Sequence, residues 1–117
     1  MAATVNANLW NADFTTFYKG TNEWSYIGLK NSDSSRIELQ LHTINTTTFT
    51  MDSVNGVFVQ YYHGSKLYEP YVGTGSLTIS SVKKGMSSGT FDVVVYNAAD
   101  GDSVKITDGK FDGFPSE

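Results

Sequence analysis

The residues best placed for chemistry lie in the stretch "SGTFDVVVYNAADGDSVKITDGKFDG", Ser88 to Gly113. Its aspartates, among them Asp100, Asp102 and Asp108, could ligate calcium, form a catalytic carboxylate cluster, or shape the turn of a hairpin. A calcium site needs at least about six oxygen ligands, and the EF-hand spacing with its late glutamate is missing. Because short acidic side chains also accept hydrogen bonds from turn amides, we favour the hairpin and predict no metal site.

Catalytic motifs are missing from the rest of the chain. His42 and His63 are the two histidines, and neither lies in a recognisable catalytic setting. No G-x-S-x-G or H-E-x-x-H motif occurs, and the absence of cysteine excludes a thiol nucleophile and thiolate-bound metals. Carboxylate pairs for glycoside hydrolysis can be drawn from Glu38, Glu69 and Asp92, but no spacing singles out two of them. We therefore predict that the protein is not an enzyme and uses no cofactor.

The size and charge of the chain narrow the class of protein and its partners. With 117 residues it is long enough to bury a core without disulfides, and we predict a single domain over residues 1–117. Residues 1–3 of this domain are expected either to have been added to the natural sequence or to be flexible. The 8 basic and 12 acidic residues give a net charge of −4 without a basic patch, so nucleic acid is not an expected partner. No apolar run reaches the roughly 18 residues of a membrane span.

Alternation of apolar and polar residues with a period of two predicts an all-β fold. In "SRIELQLHTI", Ile37, Leu39 and Leu41 share one face, while the polar residues between them share the other. Turn signals recur about every ten residues, as in antiparallel hairpins. They are Asn31-Ser32-Asp33, Val54-Asn55-Gly56, His63-Gly64-Ser65, Gly73-Thr74-Gly75 and Lys83-Lys84-Gly85. We predict one antiparallel β-sandwich or small flattened β-barrel of about eight strands, mostly in meander order.

Three further segments need a local interpretation. The opening "ATVNANLWNA" is predicted as a strand, whereas Asn11 to Asn22 is aromatic but irregular and allows a strand, a loop or a short helical turn. Phe91–Tyr96 is expected to pair as a hairpin with the strand that begins at Val104. Asp108-Gly109 is either a second turn or a glycine bulge within the last strand.

Aromatic residues make up 14% of the chain and carry the most specific binding hypothesis. A sheet face of flat rings with nearby Asn, Gln and Asp suits sugar rings, through stacking and through hydrogen bonds to hydroxyl groups. The candidate ligand-binding residues are Trp24, Tyr26, Tyr62, Tyr68 and Tyr71. The alternative interpretation is that both faces of these strands are buried and the rings belong to the core.

Three parts of the chain resemble a family of small uncharacterised lipoproteins from Bacteroidota-type bacteria. Val5, Asn6 and Trp10 match an opening "VNxxxW" strand, residues 75–79 match a central strand, and residues 89–111 match a closing "GTFxxxx…VxITxGxF" pattern. Ala7 departs from the pattern, since the family often has glycine there. The resemblance implies an all-β fold and no catalytic motif. It also implies a signal peptide and a lipidated cysteine upstream, with a secreted or cell-envelope location.

These observations predict a non-catalytic secreted or envelope-anchored β domain that binds a glycan or another small ligand through aromatic residues. The alternative is a structural or protein–protein interaction component of the bacterial envelope, in which "VFVQYYHG" or the final strand is a sheet edge that pairs with another chain. An exposed cluster of Trp24, Tyr26 and Tyr62 in a groove would favour ligand binding. A buried cluster together with an open strand edge would favour assembly.

Overall fold

A computed structural model describes residues 1–20, 23–42, 46–51 and 57–115, with the backbone alone described for residues 71–73 and 114–115. These residues form one antiparallel sheet that curls into a half-barrel, which confirms the all-β prediction. The strands are β1 (Ala2–Val5), β2 (Asn8–Asn11), β3 (Phe14–Lys19), β4 (Trp24–Lys30), β5 (Ser35–Leu41), β6 (Thr48–Thr50), β7 (Val57–His63), β8 (Lys66–Lys83), β9 (Met86–Tyr96) and β10 (Ser103–Pro115). None of the described residues form a helix of the length and apolarity that a membrane crossing requires.

The sheet follows the order β2-β1-β10-β9-β8-β7-β5-β4-β3, and β6 pairs with the second half of β8. Most neighbours in this order are also neighbours in the chain, as in the predicted meander. The two ends of the order, β2 and β3, are separated in sequence by Ala12 and Asp13. The Ala12 amide donates to the Met1 carbonyl at 3.0 Å, and the Asp13 amide donates to the Leu29 carbonyl at 2.7 Å. The chain thereby ties the two ends of the sheet to each other and holds it curled.

One face of the sheet forms the core. Ile37, Leu39 and Leu41 of β5 are fully buried, and Val59 of β7 lies opposite Leu39 on the same face, as the alternation predicts. Phe91 of β9 is 1% exposed and closes the core from the other half of the sheet. Each such side chain stabilises the fold by about 1.5–3 kcal/mol through burial, so this apolar face drives the sheet to curl on itself.

Two local predictions are wrong. The opening segment is a hairpin rather than one strand, because Asn6 and Ala7 take φ angles of 47° and 67° and reverse the chain between β1 and β2. Gly73-Thr74-Gly75 is not a turn but lies within β8, where the register to β9 shifts between Pro70 and Gly75. The signal at 54–56 lies outside the described residues. The turns predicted at Asn31–Asp33, His63–Ser65 and Lys83–Gly85 are confirmed.

The predicted sheet edges are also wrong, because both strands are central. The strand "VFVQYYH" is β7 and lies between β5 and β8, and the final strand β10 lies between β1 and β9. The irregular aromatic segment instead contains β3, which ends the sheet order. Asp108-Gly109 is a bulge within β10, since Asp108 has a φ of 51° and the register shifts between Ile106 and Gly109.

Candidate functional site

Four hairpin turns, those of β1–β2, β4–β5, β7–β8 and β9–β10, gather at one end of the curled sheet, which we call the turn end. They surround a pocket of about 310 Å³. Each turn contributes side chains to the lining, including Asn8, Trp10, Asp33, His63, Tyr68 and Asp102. The pocket therefore combines residues that are distant in the sequence.

Aromatic side chains form the floor of the pocket. Trp10, Tyr61 and Tyr68 are 2%, 5% and 5% exposed. The rings of Tyr61 and Tyr68 lie 5.7 Å apart between centroids and are tilted by 46°. Trp10 reaches this position because the β1–β2 turn folds β2 back so that Trp10 pairs with Ala3. Rings packed in this way make the floor rigid, although little of each ring is accessible from the pocket.

One wall is built by Trp10, Ser35 and Asp33, which we call the Trp10 relay. Trp10 Nε1 donates to Ser35 Oγ at 2.8 Å, and both the hydroxyl and the amide of Ser35 donate to Asp33 Oδ1. The hydrogen bond from the Ser35 hydroxyl lowers the pKa of Asp33. The positive charge of Lys30, whose Nζ lies 3.8 Å from Asp33 Oδ2, lowers it further. Burial, and then the negative charge of Asp33, raise the pKa of Tyr61. At neutral pH the wall therefore presents an oriented carboxylate beside a protonated phenol.

A second wall is built around Asp102. Tyr68 Oη donates to Asp102 Oδ2 at 3.0 Å, and Lys66 Nζ lies 3.3 Å from the same oxygen and 2.7 Å from Asp100 Oδ2. The hydrogen bonds from Tyr68 and Lys66 lower the pKa of Asp102, and the bond from Lys66 lowers the pKa of Asp100. The floor residue Tyr68 thus fixes a second charged acceptor in the pocket lining.

The acidic stretch of the sequence is a hairpin turn, as predicted. Asn97 Oδ1 accepts the amides of Ala99 and Asp100 at 3.0 and 3.1 Å. Asp100 Oδ1 accepts the amide of Asp102 at 2.8 Å, and Gly101 has a φ of 74°. Within the described ranges, no group of three or more acidic, histidine or cysteine side chains is arranged to hold a metal ion. Asp100 and Asp102 of this turn accept hydrogen bonds from the backbone, from Lys66 and from Tyr68.

Two of the five predicted ligand-binding residues are buried. Tyr68 lines the pocket, where its ring is part of the floor. Tyr26 is 5% exposed, and its hydroxyl donates to the Asp112 carbonyl at 2.9 Å. Tyr26 therefore lies in the interior, away from the turn end.

The other three predicted residues lie elsewhere. Trp24 is half-buried against the core, with Lys19 Nζ 5.5 Å from its ring centroid. Tyr62 lies on the outer face of β7, and the Arg36 guanidinium stacks 3.9 Å from its ring centroid. Tyr71 lies in β8, and its side chain is outside the described residues. The structure thus brings Tyr68 to the pocket and separates it from Tyr26, Trp24 and Tyr62.

Trp10, Asp33 and Tyr61 were not predicted as site residues. In the sequence Trp10 is recognisable as part of a strand, Asp33 as part of a turn and Tyr61 as a residue of an apolar face. The signal that connects them is the order of the turns, because every second hairpin turn of a meander falls at the same end of the sheet.

Comparison with curated proteins and with solved structures finds no match to this chain. A family model does match: that of the Domain of unknown function (DUF6252) covers residues 1–115. This span contains every strand of the sheet and all the residues of the turn-end pocket. The chain therefore belongs to the DUF6252 family.

Proposed function

We propose that this domain is a non-catalytic module that binds a small hydroxyl-rich ligand, such as a glycan, in the turn-end pocket. The observation that carries the proposal is the aromatic floor combined with two oriented carboxylates, those of Asp33 and Asp102. Carboxylates accept hydrogen bonds from hydroxyl groups, and the packed rings beneath them give the pocket a rigid floor with a small apolar contact area. Because protein hydrogen bonds already hold both carboxylates, little side-chain entropy is lost on binding.

The charge state of these carboxylates favours binding over hydrolysis. A general acid for glycoside hydrolysis needs a carboxyl group whose pKa is raised towards neutrality. Here hydrogen bonds lower the pKa of Asp33 and of Asp102 instead. Both groups therefore remain acceptors near neutral pH and have no proton to give to a leaving group.

A location outside the cytoplasm, as a secreted or envelope-anchored protein, is part of the same proposal. Its support is the resemblance of the "VNxxxW" and "GTFxxxx…VxITxGxF" strands to bacterial lipoproteins. Fractionation of the native cells with an antibody against the domain tests it. Recovery with envelope or medium markers is expected, and recovery with cytosolic markers would contradict the location.

The two histidines provide an internal comparison for the binding test. His63 is exposed and lines the pocket, whereas His42 is exposed at the other end of β5, with Nε2 3.9 Å from Glu23 Oε2. We would record the ring-proton NMR signals of both histidines during titration with neutral mono- and oligosaccharides. A sugar bound at the turn end is expected to shift the His63 signals and leave those of His42 unchanged. If no sugar shifts His63, the proposal fails.

Matched substitutions then test the site in the binding assay. His63→Ala is expected to weaken binding about 3- to 10-fold, because the loss of one hydrogen bond costs about 1 kcal/mol. His42→Ala is the control and should leave the affinity unchanged. Trp24→Phe leaves Trp10 as the single indole, so a saturable fluorescence change in this variant reports the pocket floor. Unchanged affinity of His63→Ala would place the sugar elsewhere.

A structural or protein-interaction role is the second candidate. It is supported by the burial of Tyr26, by the packing of Trp24 against the core, and by the open edge of β3. The two roles are compatible because no residue of β3 lines the pocket.

A further inference from the structure

We infer that β3 is a self-association edge, at which a second copy of this chain adds its own β3 in antiparallel orientation. In the part of the chain that the structure describes, β3 ends the sheet order and pairs with β4 alone. All six of its residues are exposed. The other edge of β3 therefore presents its N–H and C=O groups to solvent, ready to pair with another strand.

The side chains of β3 are those of a strand that becomes covered. Phe14, Phe17 and Tyr18 are 51%, 49% and 60% exposed. Edge strands that stay monomeric are commonly protected by proline, by central charges or by a bulge. The sequence "FTTFYK" has no proline, and its single charge, on Lys19, stands at the end. Its aromatic residues and threonines strongly favour strand pairing.

The backbone of β3 determines which residues can bond to a partner. The Gly20 amide donates to the Glu23 carbonyl at 2.9 Å, in register with the β3–β4 ladder. Hydrogen-bonded pairs alternate along an antiparallel ladder, so Tyr18 and Thr16 bond to β4 in turn, and the Asp13 amide then donates to the Leu29 carbonyl. Thr15, Phe17 and Lys19 consequently direct their backbone groups to the open edge.

One register makes β3 complementary to itself. A two-fold axis at Thr16 pairs Thr16 with its own copy, Phe14 with Tyr18, and Asp13 with Lys19. Both the aromatic pair and the opposite-charge pair then occur twice, and such cross-strand pairs stabilise a sheet. Asp13 Oδ2 accepts the Asn31 amide at 2.7 Å, which leaves Oδ1 for the lysine.

The same register pairs the outward backbone groups at the centre of β3, whereas the Asp13 amide stays with the Leu29 carbonyl and Asp13 meets Lys19 through its side chain alone. Thr15 falls opposite Phe17 of the second copy, and both residues direct their amide and carbonyl groups outward. Antiparallel pairing about a two-fold axis also keeps each face of the sheet continuous. This match of charge, aromatic side chains and hydrogen-bonding groups identifies a second copy of the chain as the occupant.

Sedimentation equilibrium of the whole chain measures the association. One strand pair is a small interface, so we expect a reversible dimer within a range of about 1 μM to 1 mM, which covers weak and transient complexes. A monomer throughout this range overturns the inference. Sugar binding is measured separately, so the failure of either proposal is recognisable on its own.

Single cysteines test the register directly, because the chain contains no cysteine. With the axis at Thr16, the two thiols of a Thr16→Cys dimer meet at a non-hydrogen-bonded pair with Cα atoms about 4.5 Å apart, within disulfide range. A mild added oxidant, which takes up two electrons and two protons, then links the copies. Thr15→Cys is the control, since its thiol faces Phe17 rather than its own copy. Equal cross-linking of both variants overturns the register.

A charge change provides the third test. Lys19→Glu places an acidic side chain opposite Asp13 and is expected to raise the dimer dissociation constant at least about tenfold. Lys110→Glu makes the same change at an exposed position of β10, which is central in the sheet, and should leave the constant unchanged. Melting temperatures show whether both variants remain folded. An unchanged dissociation constant for folded Lys19→Glu overturns the proposed pairing.

Discussion

Substitution of Ser35 by alanine is expected to lower the free energy of unfolding by about 1–3 kcal/mol, because it breaks the Trp10 relay. The serine is 2% exposed, and its hydroxyl accepts the Trp10 indole N–H at 2.8 Å. Without it, a buried donor loses its partner, and such a donor costs about 1–3 kcal/mol. In a domain of this size the loss corresponds to roughly 4 °C in melting temperature per kcal/mol.

Denaturant unfolding at pH 7, followed by circular dichroism, measures the effect. Ser25→Ala is the matched control, because Ser25 is 4% exposed on β4 but is not part of the relay. Trp10→Phe keeps an aromatic ring and removes the N–H, so in that background Ser35→Ala should cost about 1 kcal/mol less. An equal cost with and without the indole would refute the relay, and so would a loss no larger than that of the control.

Three other outcomes are expected from local geometry and charge. Ala7→Gly should raise the free energy of unfolding by about 0.5–1 kcal/mol, because the φ of 67° at Ala7 costs alanine about 1 kcal/mol and suits glycine. An unchanged or lower melting temperature would contradict this prediction. Gly89→Ala should lower the free energy of unfolding by more than about 2 kcal/mol, since the new Cβ would collide with the Thr78 carbonyl. In Gly101→Ala the new Cβ meets no atom within 4 Å, so this variant should lose only about 1 kcal/mol because of its φ of 74°. Equal denaturant midpoints for the two variants would refute the collision. Acid should destabilise the fold below about pH 4, because the pKa values of Asp33, Asp100 and Asp102 are lowered in the folded state and the unfolded chain takes up protons first. Denaturant midpoints measured between pH 7 and pH 2 should therefore fall less steeply in the double variant Asp100→Asn/Asp102→Asn than in the parent protein.

The faces of the strands are predictable where one face is buried. Ile37, Leu39 and Leu41 follow a strict period of two, which ties each side chain to one side of the sheet. The β9–β10 hairpin is equally predictable, since the side chains of Asn97 and Asp100 accept turn amides within a few residues. Both features depend on neighbours in the sequence.

Prediction fails where residue type and backbone conformation disagree. Ala7 adopts a φ that glycine favours, and this conceals the β1–β2 turn. Gly75 has the opposite effect, because it suggests a turn but lies in a strand, where a side chain would collide with Val93. Alternation also shows that Trp24 and Tyr26 share a face, but it does not show which face is inside. That choice depends on how the whole sheet curls.

The pocket is the least predictable feature, because long-range pairing alone brings its residues together. Trp10 and Ser35 are 25 residues apart, and Tyr68 and Asp102 are 34 apart. Their side chains meet after four separate hairpins have formed. No local pattern of residues contains that information, although a correct count of the turns would place them at one end.

The pairing of β1 with β10 determines when the pocket comes into existence. Most strand pairs close short loops, whereas the bond from the Lys105 amide to Asn6 Oδ1 joins residues 99 apart. Closing so long a loop costs about 2–3 kcal/mol more entropy than closing a hairpin, so we expect the β1–β2 hairpin to dock after the other strands. Trp10 arrives with that hairpin. A partly folded chain in which this hairpin has not docked therefore lacks the Trp10 part of the pocket floor, and the ability to bind a ligand there reports that folding is complete.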